Sequence, residues 1–302
     1  MKDQVAPPAD ESPERTKSCV DGMRDSSRWD HYSPREGDVI VATYPKCGTT
    51  WVEHIVVNLV HHGGGVPVVT DVSPWVELHF RRDEWGVEVP IEEIMAQFDA
   101  QTHQRMMKTH LPLDCLPYHQ ESLYVIVGRD ARDACMSMFN HQKALGWLAE
   151  DHGIRDYWTE WISAAADENT PAHPLFDYYE QWWGFRHLKN VLLVHYSDLK
   201  ADPSGEITRL AHFLGIGATE ELIDSVRDAT DFSSMKANER KLVPSLVERF
   251  KEGGRSFLNQ GTNGRWRDAL TEDDLSLYDP VAARSASPEC REWIERGGML
   301  SG

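Results

Sequence analysis

Three features are scarce in this sequence: long apolar runs, closely spaced cysteines and net positive charge. No stretch of the 302 residues approaches the ~20 apolar residues that a membrane span needs. The first residues, MKDQVAPPADESPERTKSC, lack the apolar core of a signal peptide and are too acidic for a transit peptide. The formal charge of 31 − 49 = −18 argues against a broad nucleic-acid-binding surface, which is usually basic. An anionic ligand would therefore need a local basic pocket.

Cysteine usage and composition indicate a globular protein of a reducing compartment. The five cysteines are odd in number, scattered and without CxxC spacing, which argues against a disulfide framework and against a zinc ribbon. We therefore expect a cytoplasmic location. The 40% hydrophobic and 26% charged fractions are ordinary for globular proteins and exclude disorder over the whole chain.

The chain is predicted to hold one α/β domain behind a mobile N-terminal segment. Residues 1–27 are rich in proline, serine and charged side chains, so we expect a flexible tail there and the domain over 28–302. Apolar, largely β-branched runs predict buried parallel strands at Val39–Thr43, Leu123–Val127 and Val191–Val194, with Arg105–Lys108 as a weaker fourth.

Helical patterns follow these strands. The predicted helices are a segment from Thr49 to the stop at Gly63–Gly65, Asp133–Leu145, Leu175–Leu188 and Ser204–Leu214. Strands that alternate with helices predict a central parallel sheet flanked by helices. Asn238–Arg267 lacks a clean period and contains four glycines, which predicts a long functional loop.

The segment TYPKCGTTW, Thr43–Trp51, joins a predicted strand to a predicted helix through a tight loop. Backbone N–H groups of such a loop and helix N-terminus bind anions, and Lys46 adds a positive charge. The pattern is P-loop-like but is not a Walker A motif, because that motif has its glycine before the lysine. An ordinary turn with a surface lysine is the alternative.

Two further segments place polar residues after predicted strands. VGRDARDACMS puts Arg129 at a strand end, where open α/β sheets bind ligands, and Ser137 about two helical turns later. KTHLP puts His110 after the weaker strand, and histidine is a natural general base because its pKa lies near working pH. A solvated ion cluster and a packed loop histidine are the respective alternatives.

In this order, the three segments resemble the motifs of the cytosolic sulfotransferases. These enzymes move a sulfuryl group from 3′-phosphoadenosine-5′-phosphosulfate (PAPS) to an acceptor hydroxyl or amine, leaving PAP. TYPKCGTTW resembles the 5′-phosphosulfate loop, VGRDARDACMS the 3′-phosphate motif and KTHLP the catalytic-histidine segment. VLLVHYSDLKADP, TDFSSMKAN and NQGTNGRW resemble later cofactor-binding segments, so the resemblance spans about residues 39–267.

The resemblance implies a role for each matching residue. His110 would accept the acceptor's proton, Lys46 would neutralise the leaving phosphate and Lys108 would stabilise the sulfuryl oxygens. Direct in-line transfer needs positioning and charge, and no metal if lysines supply that charge. The residues implied in PAPS binding are Lys46, Cys47, Gly48, Thr49, Thr50, Trp51, Arg129, Ser137, Tyr196, Thr230, Phe232, Met235, Asn259, Gln260 and Gly261.

Three positions depart from the family pattern. Cys47 replaces the usual serine; a nucleophilic thiol is conceivable at a helix N-terminus, but direct transfer needs no covalent intermediate. Asn259-Gln260 replaces the usual Arg-Lys, which predicts weaker 3′-phosphate binding at about 1.5–3 kcal/mol per charged hydrogen bond. The family's dimer motif is poorly matched by RDALTEDDLS, so no oligomeric state is predicted. The cations considered as replacements are Arg255, Arg265 and Arg267.

Aromatic residues flank the catalytic segments and predict an apolar acceptor pocket for a phenol, sterol or lipid-like alcohol. The predicted pocket residues are Trp75, Phe80, Trp85, Phe139 and His141. Core packing is the alternative for each of them.

Two other functions stay open at this point. A nucleotide-dependent kinase would use the same strand–loop–helix, but the glycine is misplaced and no acidic residue of Walker B type stands at a strand end. A PAP-binding relative without activity would explain Cys47 and Asn259-Gln260. We favour the sulfotransferase because His110 and Lys46 are both present.

Overall fold

A four-stranded parallel sheet forms the centre of the fold. The computed structural model describes residues 11–63, 68–81, 87–166, 174–242 and 258–298. In chain order the strands are β1 Val39–Thr43, β2 Phe80–Arg81, β3 Val87–Glu88, β4 Met106–Thr109, β5 Leu123–Gly128 and β6 Val191–His195. The central sheet has the order β4-β1-β5-β6, and β2 and β3 form a separate antiparallel pair. In register, Ala42 of β1 lies beside Thr109 of β4 and Ile126 of β5.

Helices cover both faces of this sheet. Their bounds are α1 Thr49–Val60, α2 Val69–Val72, α3 Ile91–Asp99, α4 Ala131–Ala144, α5 Ile154–Ala166, α6 Leu175–Gly184, α7 Tyr196–Ala201, α8 Pro203–Phe213, α9 Glu220–Thr230, α10 Phe232–Ala237, α11 Glu239–Leu242, α12 Glu272–Ser276, α13 Tyr278–Ser285 and α14 Pro288–Arg296. Short 3₁₀ helices occupy Ser26–His31, Leu113–Cys115 and Arg265–Asp268. Over the described ranges, no helix is both long and apolar enough to cross a bilayer.

The strand β1 is buried on both faces, which explains its continuous apolar sequence. Val39 and Val41 point into a core formed with α1, α8 and α9, whereas Ile40 and Ala42 point into a second core. This alternation is the two-residue period of a strand, applied to a sheet with helices on both sides. The predicted α/β fold with a central parallel sheet is confirmed.

The element bounds differ from the predicted ones by a few residues. The helix α4 begins at Ala131 instead of Asp133, because the Asp130 side chain accepts a hydrogen bond from the Arg132 N–H and caps the helix. The strand β4 runs one residue further than predicted, to Thr109. Within the predicted loop over residues 238–267, α11 forms a short helix at Glu239–Leu242, and residues 258–264 are irregular up to the 3₁₀ helix at Arg265–Asp268. Residues 243–257, including two of the four glycines, lie outside the described residues.

The segment before the first strand contacts the domain. The N–H groups of Thr16 and Lys17 donate to the Asp114 carbonyl at 2.9 and 2.8 Å. Cys19 and Cys115 are paired in a disulfide with their Cα atoms 5.8 Å apart. This pair corrects the expectation from cysteine spacing, because the fold brings together residues that are 96 positions apart. The flexible tail over 1–27 stays a prediction, and these contacts argue against it for residues 16–19.

A close approach at Gly128 gives a test of the packing. A Cβ atom at this position would lie 2.3 Å from Cη2 of Trp293, which α14 packs over the end of β5. We expect Gly128→Ala to lower the free energy of unfolding by about 1–3 kcal/mol, because overpacking forces the core apart. Urea unfolding measures this free energy. Gly217→Ala is the control, because no atom lies within 4 Å of the position that a Cβ atom would take at Gly217. Equal losses in the two variants would contradict the packing described.

Candidate active site

The carboxyl ends of the four parallel strands bring the main predicted site residues to one edge of the sheet. The loop of residues 44–48 follows β1, His110 follows β4, Arg129 follows β5 and Tyr196 follows β6. Open α/β sheets bind ligands at this edge, because the strand ends and the helix N-termini meet there. For the loop, His110 and Arg129 the sequence signal was a place after a predicted strand, whereas Tyr196 was implied by the family resemblance.

The loop after β1 forms an anion site at the start of α1. Gly48 precedes the helix with φ +110°, and a Cβ atom there would lie 2.9 Å from Cδ2 of Tyr196. Glycine is therefore required twice, for the backbone conformation and for the space. The hydroxyl groups of Thr49 and Thr43 are 2.6 Å apart, which fixes the first turn of α1 against the end of β1. Thr50 follows in the same turn and is partly exposed.

Lys46 occupies a strained and electropositive position in this loop. Its φ of +71° is left-handed, which is uncommon for a residue other than glycine, and Arg129 Nη1 donates to its carbonyl at 3.1 Å. Burial, and then the Arg129 charge, lower the pKa of Lys46 to about 8. The positive charges of Lys46 and Arg129 disfavour each other, so an anionic ligand at this loop would stabilise both.

Arg129 has an unused hydrogen-bond donor at this edge. Its guanidinium lies 4.2 Å from the centre of the Tyr196 ring, and Nη2 donates to the Thr262 carbonyl and the Asn263 Oδ1 at 3.3 Å. Its Nε is buried and has no hydrogen-bond partner among the described residues. Trp51 meets the Tyr196 ring edge-on at 5.2 Å. A buried, unpaired donor beside the glycine loop fits a phosphate-bearing ligand with an aromatic wall.

His110 is held as a neutral imidazole with one free nitrogen. Its Nδ1 lies 2.8 Å from the Thr43 carbonyl, which can only accept, so Nδ1 carries the proton. Burial lowers the pKa of His110 to about 3, with Lys108 and Lys46 adding to the shift and the Thr43 bond opposing it. Across the described residues, no hydrogen bond engages Nε2. The Trp75 ring packs edge-on against the imidazole at 5.0 Å.

Glu77 holds the backbone of His110 by a hydrogen bond, and the sequence analysis did not identify it. It is fully buried, and its Oε1 accepts from Trp75 Nε1 and the His110 N–H, both at 2.6 Å. Oε1 also accepts from Thr109 Oγ1, and Oε2 from Trp29 Nε1, each at 3.1 Å. Burial raises the pKa of Glu77, and these donors oppose that shift. A carboxylate inside the apolar run VSPWVELHF was the available signal.

Lys108 is directed toward α1 by a second buried carboxylate. Its Nζ lies 3.4 Å from Glu53 Oε1, and Ser73 Oγ donates to the same oxygen at 2.6 Å. The neighbouring His54 is buried, its Nε2 has no partner within the described chain, and burial lowers its pKa to about 4. The charge of Lys108 is thus held beside Glu53, and it is near enough to His110 to lower the pKa of that histidine.

The later cofactor segments are partly assembled. Phe232 is 36% exposed and lies against Gly261, where a Cβ atom would stand 2.5 Å from the ring. Met235 and Thr230 are buried, and the Thr230 hydroxyl donates to the Val226 carbonyl of its own helix.

The loop that carries Asn259-Gln260 is held by lysines from elsewhere. Lys236 Nζ donates to the carbonyls of Leu258 and Asn259 at 2.7 and 2.6 Å, and Lys200 donates to the Gly261 carbonyl. Of the arginines considered as replacements, Arg267 stacks over Trp266 at 4.3 Å, and Arg255 lies outside the described residues. Sequence reasoning missed both lysines.

The remaining predicted site residues have the following surroundings. The Cys47 thiol is buried in the core and burial raises its pKa to about 12, which argues against the nucleophilic alternative. Ser137 is half-buried on α4, and Phe139 packs against Tyr157 at 5.5 Å. His141 Nδ1 lies 3.3 Å from Lys46 Nζ. The Phe80 side chain and Trp85 lie outside the described residues.

Comparison with known proteins identifies the family. The sequence model of one protein family, described as the sulfotransferase domain, matches residues 36–287 of this chain. The chain belongs to the sulfotransferase family. It is 31% identical to a glycolipid sulfotransferase of Mycobacterium bovis, covering 91% of this chain and 93% of that protein. It is 28% identical to Sulfotransferase 1A1 of Rattus norvegicus, covering 82% and 84%.

Solved structures share the fold of this sulfotransferase. Retinol dehydratase in complex with androsterone and the inactive cofactor PAP superposes with a TM-score of 0.72 at 22% identity, covering 86% of this chain and 83% of that one. Mouse sulfotransferase SULT7A1 complexed with PAP gives 0.69 at 18% identity, covering 89% and 90%. The prediction that this protein is a sulfotransferase is confirmed, and the kinase alternative is not supported.

The hydrogen bonds of the buried Glu77 carboxylate can be tested by a substitution of nearly the same shape. Glu77→Gln replaces one acceptor oxygen by an NH₂ group, which then faces a donor that the carboxylate had bound. We expect the free energy of unfolding to fall by about 1–3 kcal/mol, measured by urea unfolding. Glu121→Gln is the control, because its side chain is exposed. An unchanged stability of the Glu77 variant would contradict the hydrogen-bond assignment.

Proposed function

We propose that this enzyme transfers the sulfuryl group of PAPS to a hydroxyl or amine of a small apolar or aromatic acceptor, with His110 as the general base. The observation that carries the proposal is the neutral His110 ring, whose Nδ1 is engaged by Thr43 and whose Nε2 is left to take a proton. His110 follows β4 at the sheet edge where the anion loop follows β1. A general base needs both properties, geometry and a proton-free nitrogen.

PAPS would supply the sulfuryl group on a phosphate leaving group. The glycine loop and the unpaired Arg129 Nε fit its phosphates. In this proposal Lys46, Thr49, Thr50 and the loop N–H groups hold the 5′ side, and Arg129 with Ser137 holds the 3′-phosphate. The other residues proposed to hold PAPS are Cys47, Gly48, Trp51, Tyr196, Thr230, Phe232, Met235, Asn259, Gln260 and Gly261.

The two lysines near His110 link cofactor binding to base strength. Lys46 and Lys108 both lower the pKa of His110 through their charges, after the larger effect of burial. An anion beside these lysines would offset their charges and raise that pKa. His110 would thus become a stronger base when the donor is bound. Lys108, fixed by Glu53, and Lys46 would stabilise the charge on the oxygens around the transferred group.

The acceptor pocket is proposed on the side of His110 where Trp75 lies. An aromatic wall against the base favours an acceptor with an apolar body and a single polar group. The mycobacterial relatives are named glycolipid sulfotransferases, and one structural neighbour holds androsterone. These names support a hydroxyl-bearing, lipid-like acceptor. The proposed pocket also includes the residues predicted from the sequence, Phe80, Trp85, Phe139 and His141.

The cytoplasmic location and the metal-free reaction stay predictions.

The role of His110 predicts a loss of turnover without a loss of cofactor binding. His110→Ala should lower turnover roughly 10²–10⁴-fold, the usual share of a general base. Transfer of ³⁵S from labelled PAPS to a panel of phenols, sterols and glycolipids measures turnover, and calorimetry measures PAP affinity. His187→Ala, at an exposed site, is the control. Full activity in the His110 variant would show that another group is the base.

The role of Arg129 predicts a loss of nucleotide affinity that depends on the 3′-phosphate. Arg129→Gln should weaken PAP binding by about 10–150-fold, since hydrogen bonds to charged groups contribute about 1.5–3 kcal/mol. AMP, which lacks the 3′-phosphate, should lose much less affinity, because for AMP the variant lacks only the Arg129 bond to the carbonyl of Lys46 in the anion loop. Arg186→Gln serves as the control, because this arginine is exposed and stacks on Trp183, which is not among the proposed site residues. An equal loss for PAP and AMP would place Arg129 elsewhere.

A further inference from the structure

The helix α4 brings a second histidine to the anion loop. His141 follows Ser137 by four residues, so the two side chains lie on the same face of the helix. From this face His141 Nδ1 reaches to 3.3 Å from Lys46 Nζ. The Trp147 ring meets the imidazole edge-on at 6.3 Å. This contact joins a residue that the sequence assigned to the acceptor pocket with the lysine assigned to the leaving phosphate.

The protonation state of the pair follows from its chemistry. A lysine ammonium has donors only, so Nδ1 of His141 is the acceptor in this hydrogen bond and Nε2 carries the ring proton. Burial, with a contribution from the Lys46 charge, lowers the pKa of His141 to about 3. The ring is therefore neutral at working pH and is able to accept from Lys46 at all times.

Two other neighbouring groups change the pKa of Lys46, and they act in opposite directions. Arg129, at the junction of β5 and α4, lowers the pKa of Lys46 by its own positive charge. Cys47, in the loop, has a smaller effect that raises the pKa of Lys46, and His110, after β4, is neutral. His141 opposes burial and Arg129, because a hydrogen bond to the ammonium favours the charged form.

We propose that His141 is a positioning residue for Lys46, whose ammonium it keeps protonated and oriented by accepting a hydrogen bond at Nδ1. The proposal rests on the proposed function, in which the Lys46 charge stabilises the leaving phosphate. It gives His141 a task in the reaction besides lining the pocket. Its consequence is that Lys46 stays charged at a pH where burial alone would neutralise it.

Competitive labelling of amines tests this directly. Trace acylation by acetic anhydride between pH 6 and 11, read by mass spectrometry of the Lys46 peptide, gives the pKa of this lysine without any acceptor substrate. In His141→Phe, the pKa of Lys46 should fall by about one unit, since the charged hydrogen bond is lost. His141→Asn, which places an oxygen near the position of Nδ1, should restore most of it, and His187→Phe should change nothing.

The outcomes separate this proposal from the function on which it rests. An unchanged Lys46 pKa in His141→Phe, with the variant folded by its thermal transition, would overturn the proposal. If His141→Phe does not fold, His141→Ala against His141→Asn gives the same comparison. Saturating PAP should slow the labelling of wild-type Lys46. A lack of protection by PAP, together with a shifted pKa in His141→Phe, would refute the proposed function and leave the positioning role supported.

Discussion

The hydrogen bond from His110 Nδ1 to the Thr43 carbonyl joins the ends of two neighbouring strands and sets the chemistry of the site. Thr43 is the last residue of β1, and its hydroxyl also contacts Thr49 at the start of α1. One residue therefore anchors the histidine, the anion loop and the helix that follows it. Because the strands are parallel and in register, Arg129 and Tyr196 come to the same edge from β5 and β6.

The site concentrates polar groups that are expensive to bury. Glu77 and Glu53 are almost fully buried, and each is matched by donors or by Lys108. A non-glycine residue in the left-handed region, such as Lys46, costs about 1–3 kcal/mol and persists where the surroundings fix it. The buried Nε of Arg129, which has no hydrogen-bond partner among the described residues, adds a further cost that an anionic ligand at this site would remove.

The sequence predicted the groups that stand directly after apolar strands, because that position alone places them at the sheet edge. Thr43–Trp51, His110 and Arg129 were found in this way. Glu77 and Glu53 were not, since their partners lie tens of residues away and no local pattern links a buried carboxylate to a histidine or lysine. The same reason hid the Cys19–Cys115 pair and the lysines that hold the loop around Asn259. Contacts between distant segments depend on how helices pack, which periodicity does not determine.

The protonation state of His110 is the central claim, and long-range ¹H–¹⁵N NMR of the imidazole nitrogens measures it most directly. The His110 signals are assigned by their absence in His110→Gln. We expect a protonated Nδ1 and an unprotonated Nε2 that do not titrate between pH 5 and 8, because burial and the nearby lysines lower the pKa of this ring to about 3. A proton on Nε2, or a ring that titrates near its ordinary pKa of about 6.5, would contradict the account.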